Sequence, residues 1–154
     1  MIYRRFGRTG LQMPVFSAGC MRTMHSWRAL PQSEIPLASQ INLTAIAARA
    51  LEQGINHFET APAYGTSEQQ LGIALKTLAP RDAYLLQTKI QPTSNPALFR
   101  EHFYDSLSRL GVERVDLLAI HGINDYQSLW PLPASCRRRD GWGLSAFPAT
   151  VRCR

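Results

Sequence analysis

No window in this chain approaches the roughly 18 consecutive apolar residues that a membrane-spanning helix needs. A membrane span is therefore not expected. The opening residues, Met-Ile-Tyr-Arg-Arg-Phe-Gly-Arg, have no apolar segment behind their charges, so no secretory leader is expected either. Cysteine is scarce: Cys20, Cys136 and Cys153 are odd in number and show no CxxC spacing. That argues against a disulfide framework and against a zinc site, and it fits a reducing, cytoplasmic setting. Glycine and proline, at 10 each, are too few for a low-complexity chain. What is present is a 45% hydrophobic composition over 154 residues, enough for one domain with a core.

Lysine is also scarce. Only Lys76 and Lys89 occur, so the other fifteen basic residues are arginines. Residues 127–154 hold five Arg and one Asp, a charge of +4, whereas residues 1–126 hold twelve basic and ten acidic groups, or +2. The tail lacks Lys, Glu, Ile, His and Asn, and no helical or alternating period runs through it. It reads as an irregular basic tail whose composition resembles translation in a shifted frame. Its Arg137–Arg139 run is the only support for nucleic-acid binding, without the interleaved aromatics of a single-strand groove, and no nucleic-acid partner is expected.

Before residue 127 the pattern is regular. Pro14–Cys20 is a short apolar run that predicts a first strand, and residues 21–40, with Pro31 and Pro36, predict a loop. Leu43, Ile46, Ala47, Ala50 and Leu51 share one helical face within Ile41–Gln53, and Gly54 stands at the expected helix end. Strands are predicted at Ile55–Thr60, Ala83–Ile90 and Val115–His121. Between them, helices are predicted at Ser67–Leu78, with Ser67 and Gln70 as a capping box, and from Asn95-Pro96 to Gly111. Apolar strands alternating with amphipathic helices mean an α/β fold with a parallel sheet. A doubly wound open sheet and part of a (β/α)₈ barrel both fit.

Glu59, Lys89 and His121 each close a separate predicted strand, and Tyr64 follows Glu59 in a loop. In parallel α/β folds the carboxyl ends of the strands face one common mouth. Each residue alone is an ordinary edge or packing group. Their shared register makes a common site as good a reading as the ordinary one.

These residues carry a resemblance. Glu59-Thr60-Ala61-Pro62-Ala63-Tyr64-Gly65 resembles the Asp-Thr-Ala-x-x-Tyr-Gly signature of the aldo-keto reductases. Tyr3 to Leu11 is similar to that family's opening, Thr88-Lys89 to the end of its third strand, and Val115–His121 to its fourth. The resemblance covers about residues 1–126, and the chain closely resembles a branch whose longer members carry a ferredoxin-like iron–sulfur tail; nothing in this chain supplies such a cluster. It implies a (β/α)₈ barrel, truncated here to about four βα units, since a full barrel takes about 250 residues. It implies NADPH-linked reduction of a small carbonyl substrate. Tyr64 would be the proton donor, Lys89 and Glu59 its partners, and His121 the group that orients the carbonyl. Gly19 and Met21 would touch the cofactor. The ammonium of Lys89 would draw the Tyr64 pKa down from its free value of about 10. Glu59 departs from the family's usual Asp. Most cofactor contacts, including the phosphate site, would belong to later strands. Gly143–Phe147 is similar to a later run of the family but comes only 22 residues after His121, too soon for a full βα unit. The alternative reading is a non-enzymatic remnant without cofactor binding. Open sheet edges would favour self-association.

Overall fold

The computed structural model describes residues 1–93 and 95–122. The expected boundary at residue 126 and the tail at 127–154 lie outside the described residues.

The chain opens with a two-stranded antiparallel hairpin, β1 (Tyr3–Arg5) and β2 (Gln12–Pro14). Its strands are three residues long and mostly exposed, so they leave no periodic signal in the sequence. The Tyr3 hydroxyl donates to the Gly54 carbonyl at 2.7 Å and ties the hairpin to the body. The predicted strand Pro14–Cys20 is thereby divided. Pro14 ends β2, Val15 and Phe16 are exposed, and only β3 (Ala18–Gly19) joins the main sheet.

That sheet is parallel throughout, in the order β3, β4 (His57–Glu59), β5 (Leu85–Ile90), β6 (Leu117–Ile120). Gly19 pairs with Glu59, Glu59 with Gln87, and Gln87 with Leu117. Among the described residues, β3 pairs only with β4, and β6 only with β5.

Three helices connect the strands. The first, α1, runs Leu37–Glu52, four residues earlier than the sequence pattern marks. Leu37 and Ile41 are exposed, so the apolar stripe does not reach its first turn, and Pro36 sets the start. The expected loop before it contains one 3₁₀ turn, Gln32–Glu34. The second helix, α2 (Ser67–Leu78), begins without the expected capping box: the cap position is Thr66, and the Ser67 hydroxyl turns to Thr60. The third, α3 (Pro96–Leu110), starts as expected. The Asn95 side chain accepts from the Ala97 and Leu98 N–H groups, and Gly111 ends the helix in the left-handed region at φ 65°.

The core lies between the helices and one face of the sheet. Phe58, Leu86, Ile90 and Leu118 meet Leu43 and Ala47 of α1, Leu71 and Leu75 of α2, and Phe103, Leu107 and Leu110 of α3. Strand alternation then sends His57, Glu59, Gln87 and Lys89 to the opposite face. Helices α2 and α3 touch at Gly72, where a Cβ would lie 2.3 Å from the Leu110 carbonyl oxygen.

Helix propensity alone would favour alanine over glycine by about 1 kcal/mol. Backbone overlap at Gly72 cannot be relieved by a rotamer change, so the packing effect wins. Gly72→Ala is expected to destabilise the fold by about 1–3 kcal/mol in urea unfolding. A net gain would show that α2 can shift away from α3 at no cost.

Candidate active site

Three consecutive strand ends and one loop supply the site. Glu59 ends β4, Lys89 is the penultimate residue of β5, and His121 follows β6, with its N–H donating to Ile90 at 2.9 Å. Tyr64 closes a 3₁₀ turn, Pro62–Tyr64, between β4 and α2. The turn can enter tightly because Gly65 takes φ +54°. A Cβ there would lie 2.0 Å from the Ser26 carbonyl oxygen. The loop before α1 lies directly against it.

The structure brings all four residues together. The Lys89 ammonium donates to the Tyr64 hydroxyl at 2.6 Å and pairs with the Glu59 carboxylate. The His121 ring stands perpendicular to the Tyr64 ring, 5.5 Å between centroids. Its Nδ1 has no hydrogen-bond partner among the described residues. Gly19 is exposed at the end of β3, where a Cβ would lie 3.8 Å from Glu59 Oε2, and Met21 sits half-buried two residues later.

The electrostatics differ from expectation at Tyr64. Burial raises its phenol above the ordinary value. Burial sets that direction, and it also pushes the half-buried Lys89 ammonium down to about 8. Tyr64 is therefore protonated at neutral pH. Burial first, and the Lys89 charge second, lower the His121 imidazole. Cys20, buried beneath the mouth, is pushed up to about 12 by burial and stays a thiol.

Two features escape the sequence pattern. Trp27 is exposed on the loop before α1, yet its ring meets Tyr64 edge-on at 6.4 Å between centroids. A buried polar set at the start of α2 fixes that loop. Gln70 accepts from the His25 N–H at 2.7 Å and donates to Ser39 at 3.1 Å, and Thr66 accepts from the Ser26 N–H at 3.1 Å. The only available signal is a polar run, Thr66-Ser67-Glu68-Gln69-Gln70, at the head of an otherwise apolar helix face. Among the described residues, no group of three or more His, Cys, Asp or Glu could hold a metal ion, and no helix is long and apolar enough to cross a membrane.

A family model described as the aldo/keto reductase family matches residues 19–139. L-galactose dehydrogenase of Arabidopsis thaliana is 33% identical over 130 residues, covering 78% of this chain and 38% of that protein. The NAD(P)H-dependent 6'-deoxychalcone synthase of Glycine max is 40% identical over 108 residues, covering 66% of this chain and 30% of that one. Among solved structures, an aldo-keto reductase of Pseudomonas aeruginosa superposes with a TM-score of 0.71 at 28% identity, over 89% of this chain and 56% of its own. The holo form of a Bacillus halodurans aldo-keto reductase gives 0.65 at 27% identity, over 82% of this chain and 42% of its own. The chain thus spans well under half of those curated relatives and about half of those structures.

Two buried-side imidazoles set a pH dependence. Burial lowers His57, whose Nδ1 lies 2.7 Å from the Ser17 hydroxyl, and also lowers His121. A lowered histidine favours the neutral form in the folded state. Its contribution is full above the unfolded pKa of about 6.5 and is lost as pH falls through the lower folded value. The melting temperature is expected to drop between pH 7.5 and 5, with a shallower drop in His57→Gln. An identical slope in that variant would place the proton uptake elsewhere.

Proposed function

The chain belongs to the aldo/keto reductase family, and from that premise we propose that it carries the proton-handling part of a carbonyl-reducing site. The reaction is NADPH-linked reduction of an aldehyde or ketone, with Tyr64 as proton donor. One observation carries this reading: the 2.6 Å bond from Lys89 to the Tyr64 hydroxyl, with Glu59 paired to the same ammonium. Four parallel strands with helices on one face correspond to about half of the family's (β/α)₈ barrel.

The chemistry follows from the residues. Reduction of a carbonyl leaves an alkoxide, which takes a proton. Tyr64 holds that proton at neutral pH because burial keeps its phenol high. As the proton leaves, the Lys89 N–H stabilises the phenolate oxygen in its place. Glu59 keeps the ammonium charged and aimed, against the burial that lowers it. Neutral His121, edge-on to Tyr64, turns a ring N–H to the carbonyl oxygen and stabilises its developing charge. Gly19 is exposed, has no side chain and borders Glu59. Gly19 and Met21 would hold the nicotinamide end, which supplies the hydride when bound.

A second reading is that this segment by itself is non-enzymatic, since it covers 26–41% of the first curated relatives. The 154-residue chain by itself is expected to turn over little or no substrate, since most cofactor contacts of the family belong to later strands. Self-association through β3 and β6, and a cytosolic setting in which the Cys20 thiol stays reduced, complete the proposal.

The test has two arms. The purified chain, followed by NADPH absorbance against an aldehyde panel, is expected to show no saturable turnover. Mixed with the separately expressed later strands of the Pseudomonas aeruginosa relative, it is expected to gain turnover that falls about 10²–10⁴-fold in Tyr64→Phe, the usual worth of a positioned acid. Turnover that survives Tyr64→Phe would remove Tyr64 from the donor role.

A further inference from the structure

We propose that Glu68 is a positioning residue for the Tyr64–Lys89 pair, its buried carboxylate setting the separation at which the two site groups meet. This rests on the reading of that pair as the proton-donating set.

Glu68 is fully buried, although a carboxylate in a core is costly unless it is paired and hydrogen-bonded. It has two partners. The Thr88 hydroxyl donates to Oε1 at 2.6 Å, and Arg109 Nε donates to Oε2 at 2.7 Å. Arg109 also donates to the Ser106 hydroxyl at 3.2 Å, and Thr88 and Ser106 are themselves fully buried. None of these groups takes part in the proton chemistry above.

Their place in the chain gives them a purpose. Glu68 lies in the first turn of α2, which the Tyr64 turn enters, and Thr88 immediately precedes Lys89 on β5. Adjacent strand residues point to opposite faces, so Thr88 meets α2 while Lys89 meets Tyr64. Two contacts, Glu68–Thr88 on the helix side and Tyr64–Lys89 at the mouth, close one ring through two short backbone segments. Loosening the first frees the second. Ser67 braces the neighbouring strands in the same way, with its hydroxyl 2.8 Å from Thr60 and donating to the Cys20 carbonyl at 3.1 Å. Among the described polar side chains at the head of α2, Glu68 is the one hydrogen-bonded to the strand that carries Lys89.

The two-lysine composition supplies a direct readout. With ¹³Cε-labelled lysine the full chain gives two signals, assigned by Lys76→Arg, and the Lys89 signal is followed against pH. The groups that face Lys89 are Glu59, Tyr64, Cys20 and His121, all unchanged in the variants. Wild-type Lys89 is expected to titrate near 8. Thr88→Val, which removes the hydroxyl at constant volume, and Glu68→Gln are expected to move it upward by about one unit, a tenfold change in proton affinity, as water enters. Thr88→Ser, which keeps the hydroxyl, is expected to restore the wild-type value. A merely structural role would lower the melting temperature and leave the Lys89 titration in place. An unmoved Lys89 in Thr88→Val, or a Thr88→Ser shift as large as that of Thr88→Val, would overturn the proposal. Thr88→Val decides the matter if Glu68→Gln does not fold. A wild-type Lys89 that titrates at the ordinary lysine value would instead overturn the underlying reading of the pair, and the proposal with it.

Discussion

The architecture depends on how the first turn of α2 is held. Thr66, Ser67, Glu68 and Gln70 are all buried and hydrogen-bonded: Thr66 to the loop before α1, Ser67 to the residues just past β3 and β4, Glu68 to β5 and α3, and Gln70 to the same loop and to α1. Removing one partner of a buried ion pair typically costs about 3–5 kcal/mol, because the other charge is left uncompensated. That is a large share of a domain's net stability of about 5–15 kcal/mol. Apolar packing would hold α2 against the sheet at many small offsets. Directed bonds to a single carboxylate select one of them.

Strand register converts that selection into chemistry. On β5, Leu86, Thr88 and Ile90 are buried toward the helices, and Leu85, Gln87 and Lys89 face the other way. A slip of one residue would exchange Thr88 with Lys89 and place a cation in the core. The apolar residues set this register, and the Asp116 carboxylate reinforces it by accepting from the Leu86 N–H at 2.8 Å and pairing with Arg81 at 2.6 Å. Lys89 is thereby turned toward Glu59 and Tyr64. Its depression to about 8 and the elevation of Tyr64 are two results of one enclosure.

How far the sequence speaks depends on how local each signal is. Helices α2 and α3 are legible because their apolar positions recur every third or fourth residue and because Asn95, Pro96 and Gly111 act within a few residues of themselves. The strand ends are legible through their polar closures, so the four site residues can be gathered on register and resemblance. The β1–β2 hairpin is not legible, since its short strands bury almost nothing and hold by backbone bonds and one Tyr3 contact across 51 positions. The polar head of α2 misleads for the same reason. A capping box is the local use of Ser67 and Gln70, and here both side chains bond to residues 31–47 positions away. The direction of the Tyr64 shift is also beyond local reasoning, because it depends on how much water the fold excludes.

The division of labour within the fold arises from these distances. Every group proposed to hold or guide the proton lies between Glu59 and His121, on consecutive elements that share one helix layer. Their geometry is fixed by neighbours from the same stretch: Thr88, Glu68, Arg109 and Ser67. Hydride delivery has the opposite character. In the proposed reaction it would need a cofactor held along many strand ends, with Gly19 and Met21 the contacts proposed for this segment. On the proposed function, proton placement is a short-range property of this segment, while hydride placement would draw on the whole barrel. The two can be lost or gained separately, and the Lys89 titration reports the first with no turnover at all.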